Sequence, residues 1–371
     1  MEGRSDYFSE IAYLRAFAIL AVLSIHVSAY FGEMVSLGFL TYFYMSIDTF
    51  SHFAVPLFIC ISGFVLFNKY QGSYSLKGFY QKRFLSVVPQ YTLFFIFSIL
   101  FIYIGDIVLG RIWKFSLQDI IYQYFAGTAF YHLFFLVVII QLYILYPVIE
   151  RIFTQCWENR RSTELLISLF ALQILYIFLM EDIFILGKAV QFLEYLPYFV
   201  LGMQGRSFYP SYTSKVMAVM HSCTCMSGLF LALLSASVLG IWIYLVRSTF
   251  LHNLTSPEIF MYKFLFAMVQ PFYYILIFIL CLFVALKIPE IPPGTITRTL
   301  KIIGKYSFGI YLIHPFVLFI TASILLPKVG FNVNNWLFFP VVLTLVLGVT
   351  FAIVYLMNKV PYHEYGIGSL R

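Results

Sequence analysis

Two ionisable side chains, Arg15 and His26, lie inside the first long apolar run of the chain. They are eleven residues apart. A helix turns about 1,100° over that distance, so both side chains lie on nearly the same face, about 16 Å apart along the axis. Histidine can act as a general base near neutral pH, and arginine can bind phosphate or a developing oxyanion. Each residue alone has a structural explanation, in interfacial placement or a helix contact, but their shared face favours a functional groove.

Further polar residues in the apolar runs predict a cavity, because ionisable groups are costly in hydrocarbon unless they face protein or water. Asp48 and His52 are four residues apart, so a helix places them on one face, where the carboxylate can fix the histidine tautomer. A helix cap beside an interfacial histidine is the structural alternative for this pair. Ser307, Tyr311 and His314 also recur at helical spacing. The possible cavity-lining residues are Asp48, His52, Ser62, His132, Ser307, Tyr311 and His314.

Lys82 and Arg83 lie just before the third long apolar run. Basic residues at the cytoplasmic edge of a span usually fix the orientation of a membrane protein. The same two cations are equally suited to holding the phosphates of a nucleotide-containing substrate. From these residues alone both interpretations stay open.

The composition indicates a membrane environment for these groups. Hydrophobic residues make up 62% of the 371-residue chain and charged residues 11%, whereas about a quarter of the residues of a soluble domain are charged. The net charge of +7 comes from basic residues in short loops between apolar runs, which is typical of membrane topology rather than of nucleic-acid binding. The five cysteines lack the spacing of metal ligands, so we expect no metal site.

Ten apolar runs predict an all-α polytopic membrane protein, with a single domain over residues 1–371. With ten crossings, sixteen of the 23 Lys and Arg residues fall on one side and six on the other, which predicts a cell-membrane protein with both termini in the cytoplasm. The seventh run is long, and either one tilted helix or a broken one fits it. Residues 114–126 predict a short amphipathic stretch on the outer side. The predicted spans are residues 10–31, 44–67, 85–105, 130–152, 163–180, 190–206, 216–246, 262–287, 301–326 and 335–358.

Five motifs, taken together and in chain order, resemble the acyltransferase-3 family of membrane acyltransferases. The resemblance runs from Ile11 to about Asn358, and its motifs are specific as an ordered set rather than singly. The motifs are Tyr13-Leu14-Arg15-Ala16 continuing to His26, Val55–Phe58 with Ile61–Phe64, Phe79–Leu85 with Pro89 and Tyr91, His132–Leu136 with Tyr143 and Pro147, and Ser307–Pro315.

The resemblance implies an O-acyltransferase that moves an acetyl or succinyl group from cytoplasmic acyl-CoA to a hydroxyl of a cell-surface polysaccharide or glycan. Acyl-CoA is then the donor substrate, and no tightly bound cofactor is expected. On the matched positions, the resemblance implies that His26 and Arg15 form the essential pair and that Lys82 and Arg83 bind the donor. Ser86 stands where the family usually has a second arginine, which is a departure within the donor motif.

Within the family, the chain is most similar to the stand-alone polysaccharide-modifying branch, which includes the membrane protein encoded with poly-N-acetylglucosamine synthesis. This similarity implies polysaccharide synthesis machinery as a possible partner. An exporter or flippase of a polysaccharide or lipid-linked sugar is the main alternative function, because aromatic spans and a polar stripe also suit sugar passage. A non-catalytic membrane scaffold explains the spans but not the aligned Arg15 and His26.

Overall fold

The computed structural model describes residues 8–32, 39–108, 110, 116–180, 191–209, 214, 256–290, 294–328 and 336–368. Within these residues the chain is helical and contains no strand, because a helix satisfies its own backbone hydrogen bonds in apolar surroundings. The helices are α1 (Ser9–Gly32), α2 (Phe39–Ser51), α3 (Ala54–Tyr70), α4 (Leu76–Val108), α5 (Leu117–Ala126), α6 (Phe134–Glu158), α7 (Ser162–Met180), α8 (Phe192–Ser207), α9 (Ser256–Lys287), α10 (Thr295–Ile320), α11 (Phe338–Met357) and α12 (Glu364–Ile367). A π-helical turn at Thr321–Leu325 continues α10.

Seven helical stretches in the described residues are long and apolar enough to cross a membrane. They coincide with the first four and the last three predicted spans, so the prediction of an all-α membrane protein is confirmed. The shorter helices α7 and α8 lie at the fifth and sixth predicted spans. The seventh predicted span, 216–246, lies outside the described residues, and the count of ten stays a prediction. The seven stretches are Ser9–Phe31, Phe39–Tyr70, Leu76–Ile107, Phe134–Glu158, Ala267–Lys287, Thr295–Leu325 and Phe338–Met357.

The second predicted span, 44–67, is a broken helix rather than a continuous one. α2 and α3 are separated by a turn at His52 and Phe53. Pro56 accounts for the break, because in a continuous helix its ring would collide with the carbonyl group of His52, four residues earlier. Asp48 therefore belongs to the last turn of α2, and His52 follows the end of that helix.

The chain divides into two compact units. Unit 1 comprises Met1–Ser62 and Gly205–Ile353, and unit 2 comprises Gly63–Gln204 and Val354–Arg371. Each unit joins segments that are far apart in the chain, so long-range contacts between helices hold each unit together. The family-like motifs named above are distributed over both units.

In unit 1, α1 and α10 run parallel to each other. Ala12 meets Gly304 near the beginning of both helices, and the Tyr30 hydroxyl is hydrogen-bonded to the Ser323 hydroxyl farther along both. The sequence orders these helices as the first and ninth spans, which must cross a membrane in the same direction. The parallel arrangement agrees with that order.

Gly304 allows the close approach of α10 to α1. A Cβ atom at this position would lie 1.8 Å from the carbonyl oxygen of Ala12 and 2.7 Å from its carbonyl carbon. No side chain fits between the two backbones, as is usual where small residues bring membrane helices together. The position of α10 beside α1 therefore depends on glycine at 304.

In unit 2, the C-terminal end of α5 packs against the middle of α4. The Tyr91 hydroxyl, from the middle of α4, donates to the carbonyl oxygen of Tyr124 in the last turn of α5, and the two rings lie 5.0 Å apart. Ser116 and Asp119 cap the start of α5, and Gly127 ends it with a φ of 69°. Since α4 is one of the candidate spans, this contact predicts that α5 re-enters the bilayer, deeper than the outer position expected for residues 114–126, and that expectation stays a prediction.

α6 begins at a similar depth beside α4. Tyr80 of α4 donates to the Ile144 carbonyl oxygen of α6 over 3.0 Å, and Arg83 lies over the Tyr143 ring, so the two helices are antiparallel. Measured along the helix axes from the contact between Arg83 and Tyr143, the start of α6 at Phe134 lies about 24 Å short of the end of α4 at Val108. The turn after α5 contacts the later part of α4, where the Phe130 ring lies 6.3 Å from that of Phe101.

We expect Phe125→Cys, in a background without the native cysteines, to resist a membrane-impermeant maleimide applied from either side. The Phe125 side chain is 72% exposed on α5 and lies one residue from the contact with mid-α4, so it should face lipid. Gln118→Cys, in the first turn of α5, is the matched control and should react from the outside. Equal labelling of both cysteines would contradict the re-entrant placement.

Gly304→Ala should destabilise the protein by about 1–3 kcal/mol, because the added methyl group forces α10 away from α1. The measurement is the thermal unfolding midpoint of the purified protein in nanodiscs. Gly348→Ala in α11 is the matched control, since a Cβ there meets no atom within 4 Å. An unchanged midpoint for Gly304→Ala would show that the two backbones are not in contact.

Candidate functional site

Arg15 and His26 both lie on α1, which is unbroken from Ser9 to Gly32. Both residues therefore belong to one continuous helix, as their predicted position on a shared helix face requires. Both side chains are half-buried within unit 1. Arg15 lies one turn from Ala12, where α10 makes its closest approach, and His26 lies three turns farther along.

The His26 ring stacks on the ring of His314 from α10. Their centroids are 5.2 Å apart and the planes differ by 26°. His314 is fully buried, and its Nδ1–H donates to the carbonyl oxygens of Tyr311 at 2.7 Å and Ile310 at 3.2 Å. Because a carbonyl oxygen only accepts, the neutral His314 ring carries its hydrogen on Nδ1 and its lone pair on Nε2.

Ser307 and Tyr311 share the buried side of α10 with His314. The Tyr311 ring centroid lies 5.8 Å from that of His314, so two members of the predicted polar stripe are in contact. Ser307 is likewise buried, one turn before Tyr311. The structure thus places all three residues of the stripe at the interior of unit 1.

Asp48 and His52 are also adjacent. Nδ1 of His52 donates to the Asp48 carbonyl oxygen over 2.7 Å and lies 3.6 Å from an Asp48 carboxylate oxygen. The His52 side chain is 49% exposed, whereas that of Asp48 is 12% exposed. His52 is also within electrostatic range of His26, so the dyad belongs to the same part of unit 1.

Ser62 has a local role in the structure. Its hydroxyl donates to the Phe58 carbonyl oxygen over 2.9 Å, within α3. This bond is the ordinary way in which a serine is satisfied inside a helix. The expectation that Ser62 lines a cavity has no support from this contact and stays a prediction.

In unit 2, Arg83 is held between aromatic rings. Its guanidinium carbon lies 5.5 Å from the Tyr70 ring centroid and 5.7 Å from that of Tyr143, and one of its nitrogens donates to the Tyr70 hydroxyl over 3.4 Å. The planar guanidinium group suits such stacking better than an ammonium does. The neighbouring Lys82 is exposed. The two basic residues therefore differ in freedom, one fixed and one able to move.

Ser86, the departure noted above within the predicted donor motif, donates its hydroxyl to the Arg83 carbonyl oxygen over 2.8 Å. Tyr74, in the loop before α4, has its ring 5.4 Å from that of Tyr70, the aromatic partner of Arg83. Burial raises the pKa of Tyr74 to about 12, with a further contribution from the nearby Glu150 carboxylate. Tyr74 is therefore a neutral phenol at physiological pH.

His132 lies in the turn between α5 and α6 and is buried, with its ring 5.7 Å from that of Phe130. Sequence reasoning put it at the outer end of the fourth span. Since α6 begins beside the middle of α4, a position deeper than the outer end is predicted for His132 instead, and its depth in the membrane stays a prediction.

The predicted residues fall into two groups. Unit 1 holds Arg15, His26, Asp48, His52, Ser62, Ser307, Tyr311 and His314, and unit 2 holds Lys82, Arg83 and His132. Sequence reasoning missed the hydroxyl pair of Tyr30 and Ser323, although Tyr30 follows His26 by one helical turn. It also did not foresee Tyr70 as a partner of Arg83. Among the described residues no group of three or more His, Cys, Asp or Glu side chains could hold a metal ion.

Comparison with known families identifies one match. The model of the acyltransferase-3 family, described as an acyltransferase domain, matches residues 8–355. This range covers nearly the whole chain and includes the α1 pair, the Arg83 cluster and the His314 stripe. No curated protein and no solved structure matches the chain.

Arg83→Ala should lower the unfolding midpoint of the protein in nanodiscs, whereas Lys82→Ala should leave it unchanged. The loss for Arg83→Ala should be about 1–2 kcal/mol, because the guanidinium group stacks on two rings and Lys82 is exposed. Thermal unfolding of both variants measures the difference. Equal midpoints would show that the aromatic contacts of Arg83 do not contribute to stability.

Proposed function

Since this chain belongs to the acyltransferase-3 family and is a membrane acyltransferase, we propose that it transfers an acetyl or succinyl group from cytoplasmic acyl-CoA to a hydroxyl of a cell-surface polysaccharide or glycan. The observation that carries the proposal is the family match over residues 8–355, whose first motif contains a histidine stacked against a second histidine in the interior of unit 1. Acyl-CoA acts as a donor substrate in this proposal and not as a resident cofactor.

His26 is the general base in the proposed reaction. It removes the proton of the acceptor hydroxyl while the hydroxyl oxygen attacks the thioester carbonyl carbon. A new C–O bond forms, the C–S bond breaks, and the CoA thiolate leaves and is protonated. The alternative role for His26, carrying the acyl group itself, is separated from the first by trapping: only an acyl carrier yields an acylated His26 peptide when acyl-CoA is supplied without acceptor.

Arg15 provides positive charge on the same face of α1. It can hold a donor phosphate or stabilise the oxyanion that develops on the thioester carbonyl. The eleven-residue spacing of Arg15 and His26 along an unbroken helix supports roles at two points of one extended substrate. Helix packing around His26 is the remaining role for Arg15.

Arg83 and Lys82 are the proposed donor-binding cations. The stacking of Arg83 on Tyr70 and Tyr143 supports a fixed, preorganised charge, while the exposed Lys82 can reach toward a phosphate. Because Ser86 bonds to the Arg83 carbonyl group, it offers little to an anion. Binding of the donor phosphates by this motif then depends on Lys82 and Arg83 alone, without a second arginine at position 86.

The acceptor class and the cellular setting follow from the resemblance to the polysaccharide-modifying branch. The proposed location is the cell membrane with both termini in the cytoplasm, supported by the unequal distribution of Lys and Arg and by the parallel course of α1 and α10. Enzymes that synthesise the polysaccharide are the proposed partners, because they supply the acceptor hydroxyl. Nucleic acid has no place in this proposal.

His26→Ala should remove acylation from the surface polysaccharide, because the acceptor hydroxyl then lacks its base. The measurement is mass analysis of polysaccharide from cells that carry the wild-type protein, the variant or no protein. His363→Ala is the matched control, since His363 lies near the C-terminus and its Nδ1 hydrogen-bonds the local Val360 carbonyl oxygen. We expect it to keep wild-type acylation.

Three results would count against the proposal, the first two from this experiment and the third from a binding and export assay. The first is unchanged acylation in His26→Ala. The second is acylation that is the same with and without the protein. The third is failure of the purified protein to bind acyl-CoA while unmodified glycan still reaches the cell surface only when the protein is present, which would favour an exporter.

A further inference from the structure

His314 is the buried ring in direct contact with His26, and its own orientation is fixed by the backbone of α10. Its Nδ1 bonds to the Tyr311 carbonyl oxygen at 2.7 Å, and no part of the residue is exposed. His26 is half-buried and rests its flat face on this ring. The His26 ring therefore rests on a ring whose orientation is fixed by the backbone.

Pro315 explains why His314 can be anchored in this way. In a regular helix the backbone N–H of residue 315 would donate to the carbonyl oxygen of Tyr311, four residues earlier. Proline has no N–H, so that carbonyl oxygen is released from the helical ladder. The side chain of the preceding residue, His314, donates to it instead. The dipeptide His314-Pro315 thus supplies both the donor and the acceptor that fix the ring.

The backbone placement on both sides of the stack is also fixed. Ala12 and Gly304 are in contact on one side, and the Tyr30 and Ser323 hydroxyls are bonded about one helical turn beyond His26 on the other. A helix held at two points cannot rotate about its axis independently of its neighbour. The relative position of the two rings is therefore set by the helices rather than by side-chain flexibility alone.

We infer that His314 is a positioning residue for the acyl transfer, which holds the His26 ring in the orientation that takes the acceptor proton, with Pro315 releasing the carbonyl group that anchors it. This inference rests on the proposed role of His26 as the base. His314 does not itself touch the acceptor in this arrangement. A misoriented base loses rate even when the substrates bind normally, because proton removal depends on hydrogen-bond geometry.

The test uses the purified full-length protein in nanodiscs, with acetyl-CoA and succinyl-CoA as donors and alkali-deacylated surface polysaccharide as the acceptor. Three variants are compared with wild type: His314→Ala removes the ring, His314→Phe keeps a flat ring without nitrogen, and Pro315→Ala restores the competing N–H. Two readouts are taken for each variant, kcat with the donor KM, and the rate at which diethyl pyrocarbonate modifies His26, measured by peptide mass spectrometry.

We expect kcat of His314→Ala to fall about 10- to 100-fold, with the donor KM within about twofold of wild type. Modification of His26 by the reagent should become several-fold faster. His314→Phe should recover much of kcat and protect His26 again, because the ring contact remains. Pro315→Ala should lie between wild type and His314→Ala in both readouts, and it favours helix formation, so misfolding does not obscure its result.

Two results would overturn the inference. One is wild-type kcat in His314→Ala together with faster modification of His26, which would show that ring orientation does not limit the reaction. The other is equal loss of kcat in His314→Phe and His314→Ala while His26 stays protected in His314→Phe, which would assign His314 to proton transfer. Acyl transfer that persists in His26→Ala would instead show that the proposed function of His26 is wrong. The two failures can be told apart, because protection of His26 from the reagent is measured independently of activity.

Discussion

The contact between the α1 and α10 backbones at Ala12 and Gly304 is the constraint on which the rest of unit 1 depends. Apolar side chains do not drive helices together in hydrocarbon, so close packing and polar contacts must do so. Once the backbones touch at Gly304, two parallel helices place their later residues opposite each other. The His26 and His314 rings meet because of that register. The pairing of His26 with His314 thus depends on the point at which the two helices can approach each other closely.

A proline lies close to two of the histidines, and in both places the histidine side chain bonds to a backbone carbonyl oxygen. Pro315 releases the Tyr311 carbonyl oxygen, and His314 takes it. Pro56 ends the regular helix near His52, whose side chain then bonds to the Asp48 carbonyl oxygen. In both places the histidine side chain donates to a carbonyl oxygen without its regular helical partner, but the causes differ. Pro315 has no N–H, whereas the His52 N–H bonds to the Thr49 carbonyl oxygen instead of that of Asp48. The ring gains a fixed tautomer with the hydrogen on Nδ1, and the backbone keeps its hydrogen bond.

The sequence was informative where the information is local. The shared face of Arg15 and His26 follows from helical periodicity, and long apolar runs gave the spans because bilayer thickness fixes helix length. The stacking of His26 on His314 could not be read from either segment, since it depends on which helices pack together 288 residues apart. Pro56 is a sequence signal for the break between α2 and α3, but the continuous apolar run around it predicted a single unbroken span. The placement of the end of α5 beside α4 depends on its contact with Tyr91, and residue periodicity within α5 cannot predict that contact.

Lys82 and Arg83, the proposed donor-binding residues, differ in how far their side chains are held in place. Arg83 gives up freedom to stack on two rings, so an anion that meets it finds the charge already in place and little further side-chain entropy is lost. Lys82 keeps its freedom and loses that entropy only when it binds. A second fixed arginine would add a directed pair of hydrogen bonds, which Ser86 cannot supply. Donor affinity in this chain should therefore rest more on general attraction between charges than on directional bonds, and such attraction weakens with added salt.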